Sequence, residues 1–397
     1  MRKKSVFVNC METLTANRKH NEARTLLNAG LKESAQRQTA ATAPAYVPTK
    51  PYVFPAVDGN ITYHTSWGSH GVKEEAETIL SVLSSFRLRS TLAKINQGPR
   101  LTQYVIEPAP GTQVQSILRR EKEFQAALHC NASLRFDNGY VYIEVPTGTE
   151  TVFLGDMLID NEFQYSDGFT MAIGMAVDGS KHYIDIAKAC HILISGMTGS
   201  GKSIVLHNLI LSLLMKKDPV QMHLYIIDPK ATEFEYYKNL AACTVVSEVN
   251  GAVDLLKNLC IEMDRRYSVL AAAGCRDIDS YNQKFADSPM RRDIVFIDEL
   301  SDLMSMGGKS VEGYIVRIAQ KARACGIHLV IATQYPVAKV VTGLIKANMP
   351  TKICLRVGTV TNSMVALDMA GGEKLMGHGD MLFLPNGFLT PVRLQGG

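Results

Sequence analysis

Residues Gly196, Met197, Thr198, Gly199, Ser200, Gly201, Lys202 and Ser203 follow the pattern G-x-x-x-x-G-K-[ST] at every position. That spacing makes a loop that cradles phosphate. Its glycines let the backbone wrap an anion with N–H groups turned inward. An apolar run from Ile192 to Ile194 precedes the loop, and a helix-like run from Ile204 to Met215 follows it. The helix therefore offers the positive end of its dipole to the same anion. Lys202 is placed to reach the β- and γ-phosphates of ATP, and Ser203 to hold Mg²⁺. A plain Gly/Ser turn would not call for Lys-Ser directly after the last glycine.

A second acidic half-site follows. The strand-like run Ile294 to Ile297 ends in Asp298-Glu299. Asp298 is expected to hold Mg²⁺ through its water shell, because Mg²⁺ keeps most of its waters and takes few carboxylates. Glu299 is expected to orient and polarise the attacking water. The run Ile327 to Ala332 ends in Thr333-Gln334; an amide there can sense the γ-phosphate or position water, or simply solvate a strand end. Asp228 ends another apolar run and either lines the site or starts a turn with Pro229. Arg317, Lys321 and Arg323 lie just before the strand that ends in Gln334. Read alone they are a solvated basic face, although one arginine projecting to a neighbour's γ-phosphate is the other reading.

Several elements must position these residues. Short apolar runs recur at Ile192–Ser195, Leu224–Ile227, Ile294–Ile297, Leu329–Ala332 and Ile353–Val357, separated mostly by helix-like segments. The pattern predicts an α/β fold around a mainly parallel sheet, covered on both faces, over residues 151–397. Residues 71–150 read as a small α+β unit. Its helix at Lys73–Phe86 carries an apolar face of Ala76, Ile79, Leu80 and Leu83, and Val114–Leu128 reads as one further helix. Asn138-Gly139 between two strand-like runs marks a hairpin. Residues 1–70 read as a basic arm and a linker, with Pro44, Pro48, Pro51 and Pro55 favouring extended chain.

Composition narrows the class. With 46% hydrophobic and 20% charged residues the chain has material for a sizeable core. Its 42 Lys and Arg against 38 Asp and Glu are too evenly balanced to name nucleic acid as partner. No apolar run reaches the length of a membrane helix, and the N-terminal apolar run is too brief for a signal peptide. The eight cysteines are scattered without a C-x-x-C pair, as in reduced proteins, so a cytoplasmic location is expected.

From about residue 72 to 394 the chain resembles the motor region of FtsK/SpoIIIE-type DNA translocases. The match runs through Gly196–Ser203, Ile226–Lys230, Glu262–Tyr267, Asp298–Met304, Ile318–His328, Thr342–Asn348 and Gly377–Leu382. The segments Gly98–Gly111 and Ile143–Pro146 look like that family's α subdomain. The resemblance implies a RecA-like P-loop NTPase domain with the α subdomain attached. It further implies a homohexameric ring around double-stranded DNA, with ATP hydrolysed at subunit boundaries. On the family pattern Arg323 falls at the trans arginine finger and Gln334 at the strand-end glutamine.

The departures concern the DNA-contacting surface. The glutamine is followed by Tyr335 where these motors usually have arginine, and Val360 and Met364 stand where a lysine and an arginine are usual. Lys339 and Arg356 are then the expected compensating contacts, with Tyr335 beside them. Each lost phosphate contact weakens the salt-dependent part of DNA binding. The leading expectation is a sequence-nonspecific duplex-DNA motor. The alternatives are a conjugative coupling or protein-export ATPase of the same superfamily, handing cargo to a secretion channel or membrane partner, and a nucleotide-gated scaffold with weak turnover. The chain ends soon after the motor region, which suggests a motor without membrane anchor or winged-helix module, of the kind a mobile element, plasmid or phage carries.

Overall fold

Strand β7 (Ile192–Ser195), β10 (Arg292–Ile297) and β11 (Ile327–Thr333) are buried at every residue, as unbroken apolar runs require when helices cover both sheet faces. In a computed structural model, residues 71–147 and 151–396 are described; the expected arm and linker at 1–70 lies outside them. These three strands join β8 (Met222–Ile227), β9 (Cys243–Val246) and β12 (Thr351–Leu355) in the parallel order β12-β7-β11-β10-β8-β9. Successive side chains point to opposite faces. Ile192, Ile194, Ile294 and Phe296 accordingly enter one core, under the helix Lys202–Leu214. Leu193, Val295 and Ile297 enter the other, under the helices Val249–Ala273 and Leu300–Lys321.

The sheet is wider than the sequence suggests. Four antiparallel strands extend it beyond β12, giving ten strands in all: β5 (Thr170–Ala176), β6 (Lys181–Asp185), β13 (Asp380–Leu384) and β14 (Val392–Gln395). The fold is α/β, with a mixed, mostly parallel central sheet.

Residues 72–146 build a separate antiparallel sheet, β1-β2-β4-β3, from Ser90–Gln97, Leu101–Pro108, Tyr140–Pro146 and Ser133–Asp137. The turn between β3 and β4 has φ of 48° at Asn138 and 86° at Gly139, the backbone that an Asn-Gly hairpin favours. Helix Val72–Ser85 packs on this sheet through Ala76, Ile79 and Leu83, while Leu80, expected on the same face, stays exposed at its margin. The single helix expected over 114–128 is two, Val114–Leu118 and Glu121–Leu128, broken at Arg119-Arg120.

A buried ion cluster joins the two sheets. Arg393 of β14 grips Asp380 with Nε at 3.0 Å and Nη2 at 2.7 Å and also bonds Glu144 of β4. Burial pushes the Glu144 carboxyl up, but Arg393 and then Arg135 outweigh it and hold it below the ordinary glutamate value. Arg393→Met strands two buried carboxylates and is expected to cost about 3–5 kcal/mol. In the wild type the Glu144 contribution is present above the ordinary glutamate pKa and is lost as pH falls through the depressed folded value. Without Arg393 the larger of the two opposing cations is gone and Arg135 alone is left against burial, so the folded pKa of Glu144 rises and the variant's deficit shrinks as pH falls. Thermal unfolding of both proteins at neutral pH and near pH 5 checks the sign.

Candidate active site

The carboxyl ends of β7, β8, β10, β11 and β12 lie along one sheet edge, where ligands bind in open α/β sheets. The phosphate loop leaves β7 there and is pinned on three sides. Gly196 N–H donates to Thr333 O at 3.1 Å, Met197 N–H to Arg356 O at 2.9 Å, and Gly379 N–H to Ser200 O at 2.8 Å. Gly201 has φ 99°, and a Cβ there would lie 2.6 Å from Gly379 N, so both backbone angle and close approach require glycine. The Gly377–Leu382 motif thus buttresses the loop. No side chain among the described residues caps the helix that starts at Lys202, which leaves its first N–H groups directed at the loop's concavity.

Lys202 is buried and donates to the backbone oxygen of Asp298 at 2.6 Å and to its Oδ1 at 2.5 Å. Burial pushes the Asp298 carboxyl up; Lys202 pulls it back, and the charges of Glu233 and Asp228 push it up again. Ser203 follows at the helix start, half-buried. Asp228, Glu233 and Glu299 accompany Asp298 at this edge. The hydroxyls of Ser195 and Ser200 and one carboxylate oxygen of Glu233 are buried with no hydrogen-bond partner among the described residues. An excess of carboxylates and orphaned polar atoms beside an inward-facing N–H loop fits a nucleotide phosphate with a divalent cation.

Glu299 caps the following helix. Its Oε1 accepts from Ser301 N–H at 3.1 Å, Ser301 Oγ at 2.8 Å and Thr333 Oγ1 at 2.8 Å, and its Oε2 from Gln334 N–H at 2.9 Å. Gln334 Oε1 accepts from Thr198 Oγ1 of the phosphate loop at 2.8 Å. The structure therefore brings Gly196–Ser203, Asp298, Glu299 and Gln334 together.

Asp228, open between two roles in the sequence, organises a loop. Its carboxylate accepts from the backbone N–H groups of Lys230, Ala231, Thr232, Glu233 and Phe234 at 3.1–3.2 Å. That fold-back carries Glu233 toward the site, a residue the sequence reading missed. Its only signal was an acid a few residues past a strand end.

Arg323 precedes β11 and so sits at the opposite sheet edge from the phosphate loop. Seven strand residues at about 3.3 Å each separate the two edges by roughly 20 Å. Its loop is held on both flanks: Tyr267 Oη donates to Lys321 O, and Arg266 Nη1 to Cys325 O at 3.0 Å. The Glu262–Tyr267 motif is thereby a brace for this loop. Arg317 pairs with Asp264 at 2.6 Å, whereas Arg323 is exposed and has no ion-pair partner among the described residues.

Tyr335, Val360 and Met364 are 63%, 51% and 45% exposed. Asn362 Nδ2 donates to Pro336 O at 3.1 Å, so the two segments form one surface. Lys339 and Arg356 are also exposed.

The FtsK/SpoIIIE family model matches residues 154–338, and the FtsK alpha domain model matches residues 62–147. The chain is 39% identical over 364 residues to the DNA translocase SftA of Bacillus subtilis, covering 87% of this chain and 38% of that protein. It is 39% identical over 332 residues to the DNA translocase FtsK of Caldanaerobacter subterraneus, covering 81% of this chain and 47% of that one. It therefore spans less than half the length of either relative. Among solved structures it superposes on the pCW3 conjugation coupling protein TcpA at TM-score 0.57 and 28% identity, covering 82% of this chain and 94% of that one. The cytoplasmic domain of the Thermomonospora curvata type VII secretion ATPase EccC shares the fold at TM-score 0.55 and 23% identity, over 63% of this chain and 32% of that one. No helix among the described residues is long and apolar enough to cross a membrane.

Proposed function

The chain belongs to the FtsK/SpoIIIE family, and from that premise we propose that it is an ATP-driven motor that moves double-stranded DNA without sequence specificity, acting in the cytoplasm as a ring of copies. The observation that carries the reading is the split site. The phosphate loop, Asp298, Glu299 and Gln334 share one sheet edge, while Arg323 stands exposed on the other. An arginine about 20 Å from its own nucleotide acts only on a neighbour's, and a head-to-tail contact of that kind closes into a ring.

Within one site, Gly196–Ser203 hold the triphosphate by backbone N–H groups, and Lys202 leaves Asp298 to meet the β- and γ-phosphates. Ser203 and Asp298 would hold Mg²⁺, which neutralises charge on the phosphate oxygens. Glu299 orients the attacking water. Because Thr198 occupies the Gln334 carbonyl, the Gln334 amide N–H groups are left to donate toward the γ-phosphate or that water. Thr333 Oγ1 donates to Glu299 and accepts from Tyr335 N–H at 3.1 Å. That hydroxyl links the carboxylate to the exposed surface of Tyr335, Val360, Met364, Lys339 and Arg356, where DNA would pass.

Duplex DNA is expected to stimulate ATP turnover at low salt and to lose most of that effect between about 50 and 200 mM salt, with a slope near −0.9 per phosphate neutralised. Few contacts imply a shallow slope. A second reading is a conjugative coupling or protein-export ATPase of the same superfamily: the likeness to a conjugation coupling protein favours the first, and the apolar character of Tyr335, Val360 and Met364 the second. No stimulation by DNA at low salt would select protein export.

A further inference from the structure

We propose that Glu233 is a third acid of the nucleotide site, its carboxylate accepting hydrogen bonds from the water shell of the divalent cation beside Asp298. The inference rests on the reading of the site as one for a magnesium-bound triphosphate. Strand β8 ends next to β10, where Asp298 N–H donates to Ile227 O at 3.1 Å. The Asp228 carboxylate then curls residues 230–234 back along the sheet edge by their N–H groups. Phe234 locks the curl against the helix of the phosphate loop: its ring stacks on His207 with centroids 4.7 Å apart, and His207 Nδ1 meets Tyr237 Oη at 2.8 Å. The backbone at residue 233 is thereby held beside the phosphate-loop helix, just past the strand that neighbours the one leading into Asp298. The Glu233 charge acts on the carboxyl of Asp298 and the imidazole of His207.

The other acids at this edge all have partners in this structure, and Asp298 exchanges Lys202 for the cation itself when nucleotide binds. Asp228 accepts its five backbone N–H groups, Asp298 holds Lys202, and Glu299 has both oxygens engaged. Oε2 of Glu233 is buried and has no donor among the described residues. A buried acceptor without a partner is costly, and cation-bound waters are donors that a loaded site supplies.

Nucleotide-dependent Mn²⁺ binding, read by electron paramagnetic resonance with ATPγS, tests this in wild type, Glu233→Gln and Glu233→Asp. Fluorescent-nucleotide binding in EDTA is the metal-free reference. Glu233→Gln is expected to weaken Mn²⁺ in the nucleotide complex by roughly tenfold and to leave binding in EDTA unchanged, with Glu233→Asp intermediate. Unchanged Mn²⁺ affinity in Glu233→Gln overturns the proposal. Should that variant be unfolded in a thermal melt, unchanged affinity in Glu233→Asp does so instead. Wild type that binds nucleotide equally with and without metal overturns the magnesium reading itself, and that result needs no variant.

Discussion

Lys202→Ala is expected to lower ATP turnover at least about 10²-fold, the scale of losing one preorganised charge stabiliser, and to lower stability in a pH-dependent way. Both effects follow from one buried contact. The Lys202 ammonium donates to Asp298 twice, and removing one partner of a buried ion pair costs about 3–5 kcal/mol when the other stays charged. Burial already raises the Asp298 carboxyl, and Lys202 is the cation that opposes it. Without Lys202 the folded-state pKa rises further above the unfolded one. The folded variant then binds a proton the unfolded chain releases, so it is relatively most stable below the unfolded aspartate value and loses ground as pH rises through the folded one. Melting curves from pH 5 to 8 should diverge from wild type toward the alkaline end. The double variant Lys202→Ala/Asp298→Ala removes the stranded charge, so it should recover stability while phosphate release stays absent. A single variant as stable as wild type at pH 8 would contradict the ion-pair account; one that still turned over ATP would contradict the assignment of the loop.

What the sequence made legible here is what chemistry concentrates into neighbouring residues. Gly196–Ser203 and Asp298-Glu299 are contiguous because a loop and a strand end each present their groups together, and Asn138-Gly139 announces its hairpin through φ alone. The strands beyond β12 were not legible, because their pairing depends on residues far apart in the chain. Gly174 of β5, for example, faces β14 so closely that a Cβ would lie 2.6 Å from Gln395 O, a constraint no local window contains. The break at Arg119-Arg120 was hidden for another reason. Ile117 and Phe124 are both buried seven positions apart, the spacing one continuous helix would also give. Asp228 and Glu233 fall between these cases. Both acids were plain in the chain, but which one holds the loop and which one faces the site depends on backbone N–H groups that only the folded turn aligns.

Arg323→Ala is expected to leave the fold and nucleotide affinity intact while cutting turnover by about 10³-fold or more, the range for losing an arginine finger. Its exposure and lack of an ion-pair partner among the described residues predict a stability change within about 0.5 kcal/mol. Its loop is braced by Arg266 and Tyr267, so the backbone should hold position when the side chain goes. Arg323→Lys should not rescue, because an ammonium lacks the planar fork that grips two phosphate oxygens. The informative experiment mixes Arg323→Ala with Glu299→Gln. Each is inactive alone, yet a pocket with intact Glu299 meets an intact Arg323 wherever the two kinds of subunit adjoin in the right order. That is about a quarter of the contacts in a randomly mixed head-to-tail ring, so the mixture should exceed either pure variant by a wide margin. Activity from a mixture no higher than its components would mean that Arg323 does not act across a subunit boundary, and the roughly 20 Å between the two sheet edges would then leave it without a catalytic role.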